Sequence, residues 1–525
     1  MKALEAVRAV RAIGRTGLFR PVRPAQYVQM ALLARGWGTS PAAGSAIAAL
    51  RAPDHTAVAD EDGCLTWRQL DDAATALAGG LGSEGVESDT TVGVMCRNHR
   101  GFLQGVLAAS KLGADVVLLN TEFAAEQLGE VLERESIGAV LFDDEFADSF
   151  DEVGYGGARF DGAAIARLTD DNGAATLEPP PRTGRIVILT SGTTGTPKGA
   201  QRDSVGAPLE LISGAFSRLP FRAREPVVVA PPLFHGLGFG FFGFSLLLQA
   251  TLVVRGRFDA EAVLADVERH RATTLVAVPV MLQRILDLPG ETRGRYDTSS
   301  LRMIVCSGSA LSPELATAVM DSFGDILFNF YGSTETGWAA MADPADLRTV
   351  PGTVGRPPEG TAVALLDDDG RPVDQGESGR IFVGSEMVFE GYTGGGGKDV
   401  VDGLTSTGDV GHFDDEGRLF VEGRADDMIV SGGENVFPVE VEDLLRGHEG
   451  IADVAVVGVD DEDMGQRLAA FVVSGEADGL TADDVRGFVR SHLARYKVPR
   501  DVVFVDDIPR TATGKVVRGE LQPQD

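Results

Sequence analysis

The sequence predicts an α/β protein with a large N-terminal α/β domain, a β-rich subdomain and a small C-terminal α+β domain. Short apolar runs rich in β-branched residues alternate with helical stretches over most of the chain, a pattern typical of buried parallel strands. Residues 352–415 change to short strands separated by turns. The length of 525 residues and the hydrophobic fraction of 43% are sufficient for several packed domains.

Apolar runs bounded by turn residues are predicted to be the strands of the large domain. These runs are 91–95, 139–142, 186–189, 226–230, 274–278 and 303–305. Helices are predicted between them, at 67–80, 100–112 and 260–270.

The rest of the chain is predicted to form two smaller units. The subdomain has strands at 362–366 and 380–383, and the C-terminal unit has helices at 438–446 and 481–494 with strands at 454–459, 468–473 and 502–504. We predict a basic N-terminal extension at 1–51, a large N-terminal domain at 52–425 and a C-terminal domain at 426–525, with the boundary near Asp426.

Residues 226–254 contain no Asp, Glu, Lys or Arg and are long enough to span a bilayer. Their prolines and glycines disfavour one continuous helix. We therefore predict a strand, a loop, a buried helix at 241–249 and a strand at 251–254, and no transmembrane helix.

A net charge of −31 and a pI near 4.6 argue against nucleic-acid binding, because an acidic surface repels phosphate backbones. Cys64, Cys96 and Cys306 are too scattered for a disulfide framework or a zinc site and are expected to be core thiols in a reducing, cytoplasmic compartment.

The first 51 residues are basic, unlike the rest of the chain: they contain Lys2 and seven arginines, and Glu5 is their one acidic residue. Arg8, Arg11 and Arg15 fall on one side of a helical wheel, as in a basic amphipathic helix. Two interpretations remain open: weak peripheral contact with the inner face of a membrane, or packing of this arm on the acidic body.

The segment 189–199 has the composition of a phosphate-binding loop after an apolar strand. Glycines allow close backbone approach to an anion, hydroxyls can donate to phosphate oxygens, and lysine, which occurs six times in the chain, adds a positive charge. The predicted phosphate-binding residues of this loop are Thr190, Ser191, Gly192, Thr193, Thr194, Gly195 and Lys198.

This loop resembles the signature of the adenylate-forming superfamily, and four further regions resemble its motifs in the same order. The resemblance covers about residues 52–522 and is most similar in style to fatty-acyl-CoA synthetases. The four regions are Tyr331-Gly332-Ser333-Thr334-Glu335, Ser406-Thr407-Gly408-Asp409, the stretch from Gly423 to Asn435, and Pro509 to Lys515.

The resemblance implies further nucleotide-binding positions. Tyr331 would stack on adenine, Asp409 would accept the ribose hydroxyls, and Glu335 would be an oxygen ligand for Mg²⁺. The remaining implied ATP-binding residues are Ser309, Thr334 and Arg424.

The resemblance also implies roles outside the nucleotide site. His235 would line the carboxylate end of the acid pocket, and Lys515 would stabilise charge at the α-phosphate. Ser431, Gly432 and Gly433 would border a channel for CoA, and Asp426 would be the hinge of a mobile C-terminal domain.

The expected reaction converts a carboxylic acid, specifically a medium- or long-chain fatty acid, through an acyl-adenylate to its CoA thioester. ATP, Mg²⁺ and CoA are the expected cofactors and co-substrates. Two alternatives remain open: transfer of the acyl group to a carrier protein, and a non-catalytic, membrane-associated protein with this fold. A pyrophosphate-release assay would distinguish the catalytic from the non-catalytic alternative.

Overall fold

The computed structural model describes most of the chain, and all structural statements below concern that part. The described residues are 14–18, 22–173, 176–190, 198–202, 218–385, 387–389, 391–393, 395–431, 434–461, 465–475, 479–511 and 514–522.

The N-terminal domain contains two predominantly parallel sheets. Its strands in the first half are β1 (Thr56–Asp60), β2 (Gly63–Thr66), β3 (Thr91–Met95), β4 (Asp115–Leu118), β5 (Ile137–Phe142), β6 (Ala158–Phe160), β7 (Ile186–Thr190) and β8 (Lys198–Arg202). The later strands are β9 (Pro226–Val229), β10 (Thr251–Val253), β11 (Thr274–Ala277), β12 (Met303–Cys306), β13 (Leu327–Ser333) and β14 (Gly337–Ala342).

Helices cover and connect these sheets. Those before the phosphate-loop segment are α1 (Pro24–Trp37), α2 (Pro41–Arg51), α3 (Trp67–Ser83), α4 (Arg100–Leu112), α5 (Ala125–Arg134), α6 (Ala147–Glu152) and α7 (Gly162–Asp171). Those after it are α8 (Gly236–Leu248), α9 (Ala260–His270), α10 (Pro279–Leu286), α11 (Gly290–Arg293), α12 (Pro313–Phe323) and α13 (Pro344–Thr349).

One sheet has eight strands in the order β14-β13-β12-β11-β9-β10-β1-β2, with parallel pairs from β13 to β1 and antiparallel edges. The other, completed by β17 (Gly391–Tyr392), has seven strands in the order β17-β8-β7-β4-β3-β5-β6. Large side chains such as Trp67, Phe102 and Phe241 fill the core. The predicted parallel α/β organisation is confirmed.

The β-rich subdomain is an antiparallel sheet. Its strands are β15 (Ala362–Leu366), β16 (Gly379–Gly384), β18 (Val400–Val401), β19 (Leu404–Phe413) and β20 (Leu419–Arg424). Arg424 ends β20 and Asp409 lies opposite it on β19, so strand pairing alone brings these two side chains together.

The C-terminal unit has its own sheet and core. Its elements are β21 (Ile429–Ser431), β22 (Glu434–Val436), α14 (Pro438–Arg446), β23 (Ile451–Asp461), β24 (Gly465–Ser474), α15 (Ala482–His492) and β25 (Asp501–Phe504). Val441, Val454 and Val489 are fully buried in it. This agrees with the predicted α+β organisation.

Two local expectations differ from the structure. Helix α8 begins at Gly236 rather than at residue 241, because burial of Phe239, Phe241 and Phe242 outweighs the low helix propensity of its glycines. Cys64 is exposed on edge strand β2, whereas Cys96 and Cys306 are core thiols as expected. Helix α2 lies within residues 1–51, the predicted N-terminal extension, and packs on the N-terminal domain with Ala42, Ala43 and Ala48 buried.

Within the described residues, no helix is both long and apolar enough to cross a bilayer. The uncharged segment 226–254 instead forms β9, α8 and β10, as predicted in outline.

Candidate active site

A cleft of about 2930 Å³ lies between the N-terminal domain and the C-terminal unit, which lines it with residues of α14, the start of β23 and the segment around Lys515. Its floor is formed where neighbouring parallel strands end, at Ala230 after β9, Val278 after β11 and Ser307 after β12. The carboxyl ends of parallel strands are the usual ligand-binding edge of such sheets. The cleft is therefore the candidate active site.

The phosphate-loop motif connects the antiparallel strands β7 and β8, where Thr190 lies opposite Lys198. The intervening positions Ser191, Gly192, Thr193, Thr194 and Gly195 fall outside the described residues. Lys198 lines the cleft, and its Nζ lies 5.3 Å from the ring centroid of Tyr392. Strand pairing thus anchors both ends of the motif at the cleft.

Tyr331, Asp409 and Arg424 form one polar cluster in the cleft. The Tyr331 hydroxyl donates to Asp409 Oδ2 over 2.5 Å, and Arg424 Nη1 lies 3.5 Å from Asp409 Oδ1. Burial raises the pKa of Asp409, although the Tyr331 hydroxyl, Arg424 and Lys515 favour its charged form. Burial and the Asp409 charge raise the pKa of Tyr331, so its hydroxyl stays protonated and remains a donor.

Glu335 and Thr334 lie in the turn between β13 and β14. The Glu335 side chain is buried, and its Oε1 accepts from the Tyr392 hydroxyl over 3.1 Å. Both residues line the cleft. A buried carboxylate that faces a polar cleft has the hard oxygen chemistry that suits Mg²⁺, so the residues present fit this ion.

His235 precedes α8 and lies deep in the same cleft. Its Nε2 is buried and makes no hydrogen bond with any described residue. Burial, reinforced by the positive charge of Lys515, lowers the pKa of His235 to about 4. The imidazole is therefore neutral near pH 7 and presents an unsatisfied polar atom to a ligand.

The loop that carries His235 is fixed by Asn98, which follows β3. Asn98 Nδ2 donates to the Pro231 carbonyl over 2.9 Å, and the Leu233 amide donates to Asn98 Oδ1 over 2.7 Å. Asn98 is buried, so both hydrogen bonds are shielded from water.

Lys515 enters the cleft from the C-terminal unit. Gly514 precedes it at φ +79°, close to Val280 of the N-terminal domain, where a Cβ would stand 2.7 Å from Cγ1. The turn is held by the Thr511 amide, which donates to the Lys515 carbonyl over 2.8 Å. Loss of hydration lowers the pKa of Lys515, followed by the charge of Arg424, while Glu335 and Asp409 oppose this shift.

Helix α8 forms one wall of an apolar part of the cleft. At Gly240 and Gly243 a Cβ would meet no atom of a described residue within 4 Å, and both residues line the cleft. Phe244, which lies beside them on α8, stacks on Trp338 with ring centroids 5.7 Å apart and planes 10° apart. The result is a wide space with an aromatic wall next to His235.

The other predicted positions are distributed as follows. Ser309 lines the cleft. Asp426 is exposed at the junction of the two units and makes a two-point ion pair with Arg424. Ser431 is buried in the C-terminal unit and is not among the residues that line the cleft, while Gly432 and Gly433 fall outside the described residues.

Sequence reasoning missed three residues that shape this site: Asn98, Tyr392 and Trp338. Trp338 lies three positions after Glu335, so proximity to the motif was an available signal. No pattern in the sequence indicates that Asn98 or Tyr392 contacts residues more than 50 positions away.

Two family models match the chain. The model described as AMP-binding enzyme matches residues 46–393, and the AMP-binding enzyme C-terminal domain matches residues 440–515.

Curated relatives match nearly the whole chain. The indoleacetate–CoA ligase of Aromatoleum aromaticum is 34% identical over 90% of this chain and 95% of its own length. A feruloyl-CoA synthase of an Amycolatopsis species is 32% identical, over 90% of this chain and 96% of its own length.

A solved structure shares the fold. The o-succinylbenzoate CoA synthetase of Bacillus subtilis, in complex with its acyl-adenylate intermediate, has a TM-score of 0.81 and 27% identity. The match covers 92% of this chain and 98% of that chain. The same synthetase was also solved with ATP and a magnesium ion, with a TM-score of 0.80 and 27% identity over 91% of this chain and 98% of that one.

Proposed function

The chain belongs to the AMP-binding enzyme family and is an AMP-forming acid–thiol ligase, and from its cleft we propose that it converts a ring-bearing carboxylic acid to a CoA thioester. The observation that carries this proposal is the convergence of Lys515, His235 and Glu335 on one cleft, with a wide aromatic cavity beside them.

In the first half-reaction, a carboxylate oxygen of the acid attacks the α-phosphorus of ATP. A bond forms between that oxygen and phosphorus, the bond to the β-phosphate oxygen breaks, and pyrophosphate leaves. Lys515 supplies positive charge where negative charge develops. We assign adenine stacking to Tyr331 and the ribose hydroxyls to Asp409, which Tyr331 and Arg424 hold in place.

The phosphates and the magnesium ion have their own set of residues. We assign the phosphates to Lys198, Thr334 and the segment 190–195, and the adenine side to Ser309. Glu335 would hold Mg²⁺, which offsets the negative charge of the phosphates. Neutral His235 would direct a ring nitrogen at the bound carboxylate.

In the second half-reaction, the thiol of CoA loses its proton to solvent and its sulfur attacks the acyl carbon. The C–S bond of the thioester forms, the acyl C–O bond breaks, and AMP leaves with the original carboxylate oxygen. We propose that rotation about Asp426 withdraws Lys515 and brings Ser431, Gly432 and Gly433 to the cleft. Domain alternation separates two sets of groups that one arrangement cannot hold together.

The shape of the cavity favours a ring-bearing acid over a linear one. Gly240 and Gly243 leave the cavity wide, and the stacked pair of Phe244 and Trp338 offers an aromatic surface. Relatives named for indoleacetate, ferulate and 2-succinylbenzoate support this choice. The medium- or long-chain fatty acid expected from the sequence is the competing substrate.

An acid panel tests the proposal directly. We expect ATP-dependent pyrophosphate release with ring-bearing acids such as indoleacetate and ferulate, at a higher kcat/KM than with any linear acid from acetate to C18. A preference for long linear acids would favour the fatty acid instead. Pyrophosphate release in the absence of CoA, with no thioester formed when CoA is added, would favour a carrier protein as the acyl acceptor. If no acid caused pyrophosphate release, the non-catalytic alternative would be favoured.

We place the enzyme in the cytoplasm, where ATP and CoA are available. Weak peripheral contact with a membrane through its basic N-terminal residues is part of the same proposal.

A further inference from the structure

Helix α1 has an unusually exposed apolar face. Tyr27, Val28 and Leu32 are 55%, 61% and 63% exposed, and no residue of this helix is buried. Their spacing, together with exposed Ala31, places them on one side of the helix. We call these four residues the α1 face. Contiguous exposed apolar surface of this kind marks an interaction site.

The charged residues of α1 and of the sequence that flanks it are all positive. Residues 6–53 contain no Asp or Glu, although the chain as a whole carries a net charge of −31. Arg23 and Arg35 are exposed, lie on the same side as the α1 face, and form no ion pair with any described residue. Within the described part of the chain, these arginines are therefore not paired with an acidic side chain.

The α1 face is also close to the proposed acid cavity. Gln26 Nε2 donates to the Leu50 carbonyl over 3.1 Å, which ties α1 to α2. Helix α2 in turn packs on α8, where a Cβ at Gly44 would stand 3.2 Å from Leu246 Cβ. Because α8 is a wall of the cavity, α2 is the one layer of helix that separates α1 from this wall.

We propose that the α1 face, flanked by Arg23 and Arg35, docks the enzyme reversibly on an anionic lipid surface. Apolar side chains enter the interface while the arginines pair with acidic headgroups. A ring-bearing acid dissolves in such a surface, so docking would place the enzyme beside its substrate. Only this last consequence rests on the proposed function; the docking itself does not.

Vesicle co-sedimentation of the full chain tests the proposal. We expect pelleting with vesicles of phosphatidylcholine and phosphatidylglycerol, loss of pelleting at high salt, and little pelleting with phosphatidylcholine alone. The double substitution Val28→Asp and Leu32→Asp should reduce the bound fraction roughly fivefold or more, because two charges would enter the apolar interface.

Val400→Asp is the matched control, because Val400 is 62% exposed on β18 of the subdomain, and it should leave binding unchanged. Since all these positions are exposed, thermal melting should show that each variant folds. Arg23→Gln with Arg35→Gln should weaken binding and flatten its salt dependence.

Three results would overturn the proposal. The first two are equal binding to both kinds of vesicle and no binding to either. A third is a dimer in sedimentation velocity that Val28→Asp and Leu32→Asp convert to monomer, since the α1 face would then be a contact between two copies. All arms are measured without ATP or acid. A failure of docking is therefore distinguishable from a failure of the ligase assay.

Discussion

Lys515 reaches the cleft from the C-terminal unit, whereas His235, Glu335 and Tyr331 belong to the N-terminal domain. Lys515→Ala should therefore lower acid-dependent pyrophosphate release by about 10²- to 10³-fold, the usual effect of removing one preorganised group. Thioester formation from supplied acyl-adenylate should persist. Quenched-flow measurement of each half-reaction checks this.

Lys497→Ala is the matched control for this substitution. Lys497 belongs to the same unit, but its ammonium pairs with Glu440 and is absent from the cleft lining. It should leave both half-reactions unchanged. Equal losses in both half-reactions for Lys515→Ala would contradict the separation of roles.

The titration of Lys515 predicts the alkaline side of the pH profile. Burial and Arg424 lower the pKa of its ammonium, so the charged form is lost at a lower pH than for an ordinary lysine. As the pH rises, kcat/KM for pyrophosphate release should begin to fall at a lower pH than the one at which an ordinary lysine loses its proton. Lys515→Arg should retain some activity without this fall, and an unchanged profile in that variant would assign the fall to another group.

His235 adds no titration near neutral pH, because burial lowers its pKa to about 4 and the ring is neutral above that value. The sequence identified His235 as a candidate but not the reason for its position. Its loop is held by Asn98, which is 133 residues from Pro231 in the chain, and single-sequence patterns do not reveal pairs so far apart.

At the scale of elements, α8 controls the width of the acid cavity. Gly243→Leu should reduce kcat/KM for ring-bearing acids by about tenfold or more, because the new side chain would occupy part of the cavity; one blocked apolar contact has an effect of about this size. The reduction in kcat/KM should be smaller for short linear acids. The fold should tolerate it, because a Cβ at Gly243 meets no atom within 4 Å among the residues that the structure describes. The acid panel measures the change in preference.

Gly487→Leu controls for the new side chain, because Gly487 is also helical and a Cβ there likewise meets no atom within 4 Å. It should leave acid preference unchanged. A parallel loss for all acids in Gly243→Leu would indicate damage to the site rather than a narrower cavity.

The segment around Asp426 is the other decisive element. Asp426→Pro should fix φ at this position and restrict rotation of the C-terminal unit. If the described arrangement is retained, pyrophosphate release should persist while thioester formation falls. Asp426→Ala removes the ion pair with Arg424 without fixing φ and should affect thioester formation less. Intact overall turnover in Asp426→Pro would mean that the hinge lies elsewhere.

Elements with strong local signals were predictable from the sequence. The strand at 91–95 and the helices at 100–112, 260–270 and 438–446 have the predicted bounds, because apolar periodicity and flanking caps agree there. The start of α8 was not predictable. Its glycines disfavour a helix locally, and the burial that overrides this preference depends on contacts distant in sequence.

At the scale of the whole molecule, motifs separated by more than 300 residues in sequence meet in one cleft. The sequence indicated their chemistry but not their geometry, since Tyr392 and Trp338 carry no motif signal. The exposure of the α1 face could not be predicted from the sequence either, because it depends on how α1 packs on α2. Two domains therefore supply one site, with Lys515 as the contribution of the C-terminal unit.

The central claim is that the carboxylate attacks the α-phosphorus and that its oxygen leaves with AMP. An acid labelled with ¹⁸O in both carboxylate oxygens, incubated with ATP, Mg²⁺ and CoA, tests it by mass spectrometry of the nucleotide product. The account predicts one ¹⁸O atom in AMP and one in the thioester carbonyl. Unlabelled AMP, or ADP and phosphate as the products, would contradict it.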